Sequence, residues 1–340
     1  MTKSFRRATM LLTAFSLPFL GGCVFPQNGD TVEISVKGER NTERSLPIVL
    51  MYDLDAIHRQ PDGEAAGLVV YSLGYTSCTS AVDSFGKLLA ARGYVLAIPN
   101  HDDIIKVCQV VPDFPTLDEL ETLVSTEVLT EADVEMFSGM DGEKAIPPEQ
   151  VDPLFEYRKQ DLVATISYLT NGAIRNFGPL DDKPIFLVGY SLGGWSALNV
   201  AGASEAYWEL KHDIRAVVCL APYVGEITEK RMRKVTSPVL YLAGTNDDFL
   251  AGTWELYGWR PENSRMVEIN SGDHFLFAVD LCTSVVLAQS QPTSCTDQAA
   301  VIAGKTHAVV VEFIAAMTED DRMPDVELFR SFDPKFFSAY

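Results

Sequence analysis

The stretch IFLVGYSLGGWSALNVAG, residues 185–202, decides the fold of this chain. An apolar run leads into Ser191, glycines stand two residues before and after it, and a segment of small residues follows. This pattern predicts a buried strand, a sharp turn and a helix. A serine at such a turn exposes its Oγ at the carboxyl edge of a sheet, although serine is also a good helix N-cap. The stretch therefore predicts either a nucleophile or a cap.

An apolar run followed by a longer amphipathic one, as at residues 185–202, recurs along the chain. From residue 67, short apolar runs alternate with longer amphipathic ones, which is typical of an α/β fold with a mostly parallel sheet covered by helices on both faces. The predicted strands of this sheet are residues 67–72, 94–100, 184–190, 215–222, 238–244 and 265–271, and the predicted helices are 80–92, 153–170, 192–202, 251–257 and 304–317. Two earlier runs, 31–38 and 46–53, predict antiparallel strands.

A nucleophilic serine needs a base, and the base needs an orienting carboxylate, each at the end of a later strand. Asp247 follows one predicted strand and His274 follows the next. Asp248 is the alternative acid, because adjacent residues after a strand point in different directions. The other histidines, for which a structural role is expected, are His58, His101, His212 and His307. The candidate catalytic residues are Ser191, Asp247 and His274.

Acyl transfer also needs donors for the oxyanion that develops on the substrate. The backbone N–H of Leu192, directly after the candidate nucleophile, is predicted to be one donor. The second is assigned to the backbone N–H of Tyr75, in the loop after the strand at 67–72.

These features together resemble the α/β-hydrolase superfamily over residues 67–317. Within it, GLVVYSLGYTSCTSAVDSFGKLLAARGYVLAIPNHDD and FEYRKQDLVATISYL are similar to the platelet-activating-factor acetylhydrolase and dienelactone-hydrolase-like group. That group carries a His-Gly pair, which supports the oxyanion loop, where this chain has Leu73 and Gly74. The departure affects the geometry of the loop and the choice of substrate. A bridge from Cys78 to Cys108 is one way in which the loop could be held instead.

Two segments interrupt the alternation of strands and helices. Residues 106–150 are acidic, contain several prolines and carry scattered apolar residues, so they predict an insertion that either covers the active site as a lid or stands on the surface. Residues 282–298 are polar and predict a disulfide-closed loop.

The N-terminus has the features of an export signal. Lys3, Arg6 and Arg7 precede an apolar run, residues 8–20, that is too short to span a bilayer. The run ends in LGGC, which resembles the lipobox of bacterial lipoproteins and implies that Cys23 is acylated and becomes the first mature residue. The resemblance places the protein at the bacterial cell envelope, anchored by lipid.

Export changes the expected state of the cysteines, because an oxidising compartment lets them pair. Cys219 lies in an apolar strand and is expected to be a buried thiol. The remaining four allow three connectivities, and their spacing favours Cys282 with Cys295, which leaves Cys78 with Cys108.

The net charge limits which partners are expected. The net charge of −20 disfavours nucleic acid, because phosphate binding needs a basic surface. No metal or cofactor is expected, since no metal-ligand spacing or phosphate loop occurs.

The predicted domains are a signal peptide (1–22), a linker with the first strand (23–45), a hydrolase domain (46–330) and a tail (331–340).

The sequence predicts an exported serine hydrolase that acts on small-molecule or lipid carboxylic esters, similar to carboxylesterases and lipases. Because the same three side chains serve several acyl-transfer reactions, a thioesterase or peptidase is an alternative within enzymes. A catalytically idle binding lipoprotein with the same fold is the alternative outside them, suggested by the missing His-Gly pair.

Overall fold

The described part of the chain forms one nine-stranded sheet in the computed structural model. The strands are β1 (Gly29–Lys37), β2 (Glu43–Met51), β3 (Gly67–Ser72), β4 (Tyr94–Pro99), β5 (Ile185–Tyr190), β6 (Ile214–Leu220), β7 (Val239–Gly244), β8 (Ser264–Ile269) and β9 (Phe337–Ala339). The structure describes residues 29–37, 43–74, 77, 79–101, 148–171, 176, 178–204, 213–225, 227–260, 262–274, 276–277, 297–320, 323–333, 335 and 337–340.

The strand order is β1-β2-β4-β3-β5-β6-β7-β8-β9, and neighbours from β4 to β8 run parallel. Strands β1 and β2 pair antiparallel with each other, and β2 pairs antiparallel with β4. The predicted strand set and the two preceding antiparallel strands are therefore confirmed. Strand β5, which leads to Ser191, lies at the centre of the sheet, so its carboxyl end is surrounded by the ends of β3 and β6.

Helices cover both faces of the sheet, as the α/β prediction requires. They are α1 (Leu54–His58), α2 (Asp83–Ala90), α3 (Pro148–Thr170), α4 (Leu192–Leu198), α5 (Glu229–Met232), α6 (Leu250–Trp259), α7 (Asp297–Glu319) and α8 (Val326–Phe332). Phe85 of α2, Phe313 of α7 and Phe329 of α8 pack on one face. Leu162 of α3 and Leu198 of α4 pack on the other. Strands β3, β4, β5 and β7 are buried throughout and β6 is buried from Ala216 onward, so their sequences are nearly continuous apolar runs.

The largest differences between the predicted and the observed element boundaries lie at three places. Helix α3 begins at Pro148 rather than 153 and α7 begins at Asp297 rather than 304, so each extends into a segment predicted as an insertion. The stretch predicted as a tail, 331–340, contains the edge strand β9, which pairs antiparallel with β8. Its three residues are too few to show an alternating pattern, which explains why the sequence did not predict it.

One helix among the described residues, Val301–Glu319, is long and apolar enough to cross a membrane by length and composition. More than half of it is buried inside the protein. It packs against α2 and β6, with Val310 and Ile314 fully buried in the core beside the sheet. Its apolar character is therefore explained by core packing.

Candidate active site

Ser191 occupies a strained turn between β5 and α4. Its φ of 52° and ψ of −119° lie in a region that residues with a side chain rarely adopt. The flanking glycines make the turn possible, since a Cβ at Gly189 would lie 2.1 Å from the Gly193 carbonyl oxygen. A Cβ at Gly193 would lie 1.8 Å from the carbonyl oxygen of Ser72, at the end of β3. Only glycine fits at both positions, as the G-x-S-x-G pattern implies.

The side chain of Ser191 does not cap α4, because its Oγ makes no hydrogen bond to the first turn of that helix. Instead Oγ lies 3.1 Å from Nε2 of His274. The geometry therefore favours the nucleophile over the helix cap.

His274 connects Ser191 to Asp247. Nδ1 of His274 lies 3.2 Å and 3.3 Å from the two carboxylate oxygens of Asp247. A carboxylate only accepts hydrogen bonds, so Nδ1–H donates a hydrogen bond to Asp247 and Nε2 is left to accept one from the serine hydroxyl. The structure therefore brings together the three residues that the sequence predicted, in one chain of hydrogen bonds.

Burial distinguishes Asp247 from its neighbour. The Asp247 side chain is fully buried, whereas Asp248 is exposed. Asp247 Oδ1 also accepts a hydrogen bond from the backbone N–H of Phe249 at 2.9 Å. The turn after β7 is held against the turn after β8, where the Asn246 N–H donates to the Gly272 carbonyl at 2.8 Å. This contact fixes the acid and the histidine relative to each other.

Aromatic side chains surround His274. The ring of Phe249 lies 4.7 Å from the imidazole, between centroids, and that of Tyr190 lies 5.2 Å from it. Tyr223 packs edge-on against Phe249, and its backbone N–H donates to the Ser191 carbonyl at 2.9 Å. These rings restrict the imidazole and give the space beside Ser191 an apolar wall.

The described tryptophans lie in the core or pack against it. Trp195 is nearly fully buried, and its Nε1 donates to the Gly225 carbonyl. Trp254 donates to Glu268 and packs on Tyr340. Trp259 packs against the core on the same face.

The structure describes only one of the two predicted oxyanion donors. Leu192 is the first residue of α4, so its N–H has no carbonyl within the helix to bond. Tyr75 lies outside the described residues, as do His212, Cys23 and the four cysteines predicted to form disulfides. Cys219 is a buried free thiol, and burial raises its pKa.

A second buried hydrogen-bond chain lies under the loop after β3. Ser72 Oγ lies 3.0 Å from Nε2 of His101, and Nδ1 of His101 lies 2.8 Å from Asp161 on α3. Arg44 forms an ion pair with the same carboxylate. Burial raises the pKa of Asp161 to about 7, while the guanidinium groups of Arg44 and Arg158 oppose the shift. The structural role expected for His101 accords with this position, but its partners were not predicted.

The remaining described histidines belong to helices α1 and α7. His58 ends α1, and His307 of α7 is buried with Nδ1 3.1 Å from Ser84 Oγ. Within the described residues, no group of three or more His, Cys, Asp and Glu side chains could share a metal ion. The expectation that no cofactor is needed stays a prediction.

A strained serine after the central strand, with an acid and a histidine at the ends of later parallel strands, defines a hydrolase of the α/β class. The chain belongs to the alpha/beta hydrolase family, whose sequence profile matches residues 72–336. No curated protein matches the sequence. The family match runs from the end of β3 to beyond β8 and includes Ser191, Asp247 and His274.

Proposed function

We propose that the protein is a serine hydrolase that cleaves carboxylic esters through an acyl-enzyme. The observation that carries the proposal is the hydrogen-bond chain from Ser191 through His274 to Asp247, at a strained turn after the central strand. An apolar wall beside the serine adds support, because a buried nucleophile next to aromatic rings favours an acyl or alkyl group over a charged one.

In the first half of the reaction, Oγ of Ser191 attacks the ester carbon while Nε2 of His274 takes its proton. The carbonyl oxygen becomes an oxyanion. When the tetrahedral intermediate collapses, the bond to the alcohol breaks and His274 returns the proton to the departing alcohol. Water then attacks the acyl-enzyme by the same route and releases the acid. Asp247 keeps Nδ1 protonated and stabilises the imidazolium that forms in each half.

The oxyanion needs preorganised donors. The N–H of Leu192 is well suited to be one, since it begins α4 directly after the nucleophile, where the helix dipole also favours negative charge. The N–H of Tyr75 is proposed as the second, from the loop that follows β3.

The reaction is tested with p-nitrophenyl esters of increasing acyl length, beside a thioester and an anilide of the same acyl group. We expect turnover of at least one ester, with kcat on the order of 1 to 10³ s⁻¹, and slower cleavage of the matched anilide. Faster cleavage of the thioester or the anilide would move the protein to another acyl-transfer class. Folded protein that cleaves none of them would support the idle binding protein instead.

The finer relationship and the location are also proposals. The resemblance to the platelet-activating-factor acetylhydrolase and dienelactone-hydrolase-like group favours a small-molecule or lipid ester as substrate. The resemblance of LGGC to a lipobox favours an exported protein held at the membrane by acyl chains on Cys23.

Lipid attachment is tested by growing expressing bacterial cells with an alkyne fatty acid. We expect label on the wild type and none on Cys23→Ser, because the thiol is the site of acylation. Cys219→Ser is the matched control, since that thiol is buried in β6, and it should keep the label. Label that persists in Cys23→Ser would contradict the anchor.

A further inference from the structure

We propose that Arg158 is the positioning residue of the β3 loop, here Leu73 and Gly74 directly after β3, and that through the Gly74 peptide it orients the N–H predicted to stabilise the oxyanion. The inference rests on the proposed ester hydrolysis and deepens it. It explains how the loop is held in a chain that has Leu73 where its resembled group has histidine.

Leu73 and Gly74 lie directly on the nucleophile turn. A Cβ at Gly193 would be 2.7 Å from the Leu73 carbonyl oxygen, and a Cβ at Gly74 would be 2.8 Å from the ring of Tyr190. The Leu73 backbone is therefore in direct contact with the backbone beside Ser191, and Gly74 packs on the Tyr190 ring. A small rotation of the loop would change the environment of Ser191.

Arg158 of α3 holds this backbone from the side of the helix. One guanidinium nitrogen donates to the Leu73 carbonyl at 2.7 Å, and the other donates to the Gly74 carbonyl at 3.2 Å. The side chain is fully buried and is one of the largest fully buried side chains in the core. Burying a guanidinium is costly, and hydrogen bonds to two successive carbonyls use its rigid fork.

The geometry of a peptide unit links these bonds to the oxyanion. The Gly74 carbonyl and the N–H of the next residue belong to the same planar group. A donor that holds the carbonyl in place therefore fixes the plane of the N–H assigned to stabilise the oxyanion. Its positive charge also polarises that peptide and makes its N–H a stronger donor.

The second hydrogen-bond chain places a carboxylate near Arg158. Asp161 stands one turn further along α3 and interacts electrostatically with both Arg158 and Arg44. Through His101, the same carboxylate is connected to Ser72 at the end of β3. Helix α3 is thus tied to the strand end from which the loop departs, and the buried guanidinium has a nearby carboxylate.

The test uses Arg158→Lys, which keeps the charge but cannot hold two carbonyls with a planar fork. We expect kcat on the best ester to fall about 10²-fold, as for the loss of one oxyanion donor, with KM within about threefold of the wild type because ground-state binding is unaffected. Arg158→Gln, which keeps an amide donor without charge, should fall further. Lys159→Met is the matched control, since Lys159 is the next cation on α3 and packs on Trp195 instead of the loop.

Two inhibitors separate positioning from a purely structural role. A trifluoromethyl ketone accepts Oγ of Ser191 at its carbonyl carbon, its oxygen becomes an oxyanion, and the serine proton passes to His274. The matching methyl ketone imitates only the uncharged substrate. In Arg158→Lys we expect the trifluoromethyl ketone to lose affinity by the same factor as kcat/KM and the methyl ketone to bind as before.

Three results would overturn the proposal. They are an unchanged kcat in a folded Arg158→Lys, an equal loss of affinity for both ketones, and a loss of activity that only follows the unfolded fraction measured by circular dichroism. A wild type that cleaves no ester would reject the proposed function. An active wild type with an unaffected Arg158→Lys would reject only the role given to Arg158.

Discussion

Ser191→Ala is expected to lower kcat for ester hydrolysis by about 10⁶-fold, because the nucleophile is removed while the fold and the rest of the site remain. The substitution exchanges a hydroxyl that makes no helix cap for a hydrogen, so the melting temperature should change little. The measurement is steady-state hydrolysis of the best p-nitrophenyl ester, together with labelling by a fluorophosphonate probe. The wild type should take the label on Ser191, and the variant should not.

Ser237→Ala is the matched control for this variant. Ser237 is also buried, and its Oγ donates to the Ile214 carbonyl at 2.8 Å, at the start of β6 and far along the chain from the nucleophile turn. Loss of that bond should cost about 1 kcal/mol of stability and leave kcat as in the wild type. Labelling of Ser191→Ala at the wild-type rate would contradict the assignment of the nucleophile.

Asp247→Asn is expected to lower kcat by about 10⁴-fold. An asparagine amide can donate to Nδ1 of His274, which would put the proton on Nε2 and prevent that atom from accepting the serine proton. The hydrogen bond from the Phe249 N–H to the side-chain oxygen can persist, so the turn after β7 should keep its shape. The measurement is kcat and KM on the same ester, with KM expected to stay within about threefold of the wild type.

Asp248→Asn provides a control of the same chemistry at the adjacent residue. Its side chain is exposed and is not the partner of His274, so its loss should leave kcat within about twofold of the wild type, as for other surface changes. The two variants differ only in which of two neighbouring carboxylates becomes an amide. Equal effects of both, or a larger effect at position 248, would reject the role given to Asp247.

The central part of the fold could be predicted from the sequence because its signals are local. Buried parallel strands are continuous apolar runs, and the glycines around Ser191 identify a turn that few other residues permit. Asp247 and His274 could be found because each follows such a strand. The choice between Asp247 and Asp248 needed the structure, since burial depends on how the turns after β7 and β8 meet.

The support beneath the β3 loop could not be predicted, because its members are distant along the chain. Ser72 and His101 are 29 residues apart, and His101 and Asp161 are 60 apart. A lone buried histidine carries no local signal of its partners. The sequence also does not show which aromatic residues lie at the site. Phe249 contacts His274, while Trp195 packs in the core and Trp254 packs against it.

The short strand β9 covers one edge of the sheet. Without it, β8 would present its unpaired backbone groups at the rim of the sheet and could template pairing with another chain. Strand β9 occupies that rim with only three residues, and Tyr340 behind it packs on Trp254 of α6. A rim this short offers few free N–H and C=O groups. We therefore expect β9 to limit self-association at this edge of the sheet.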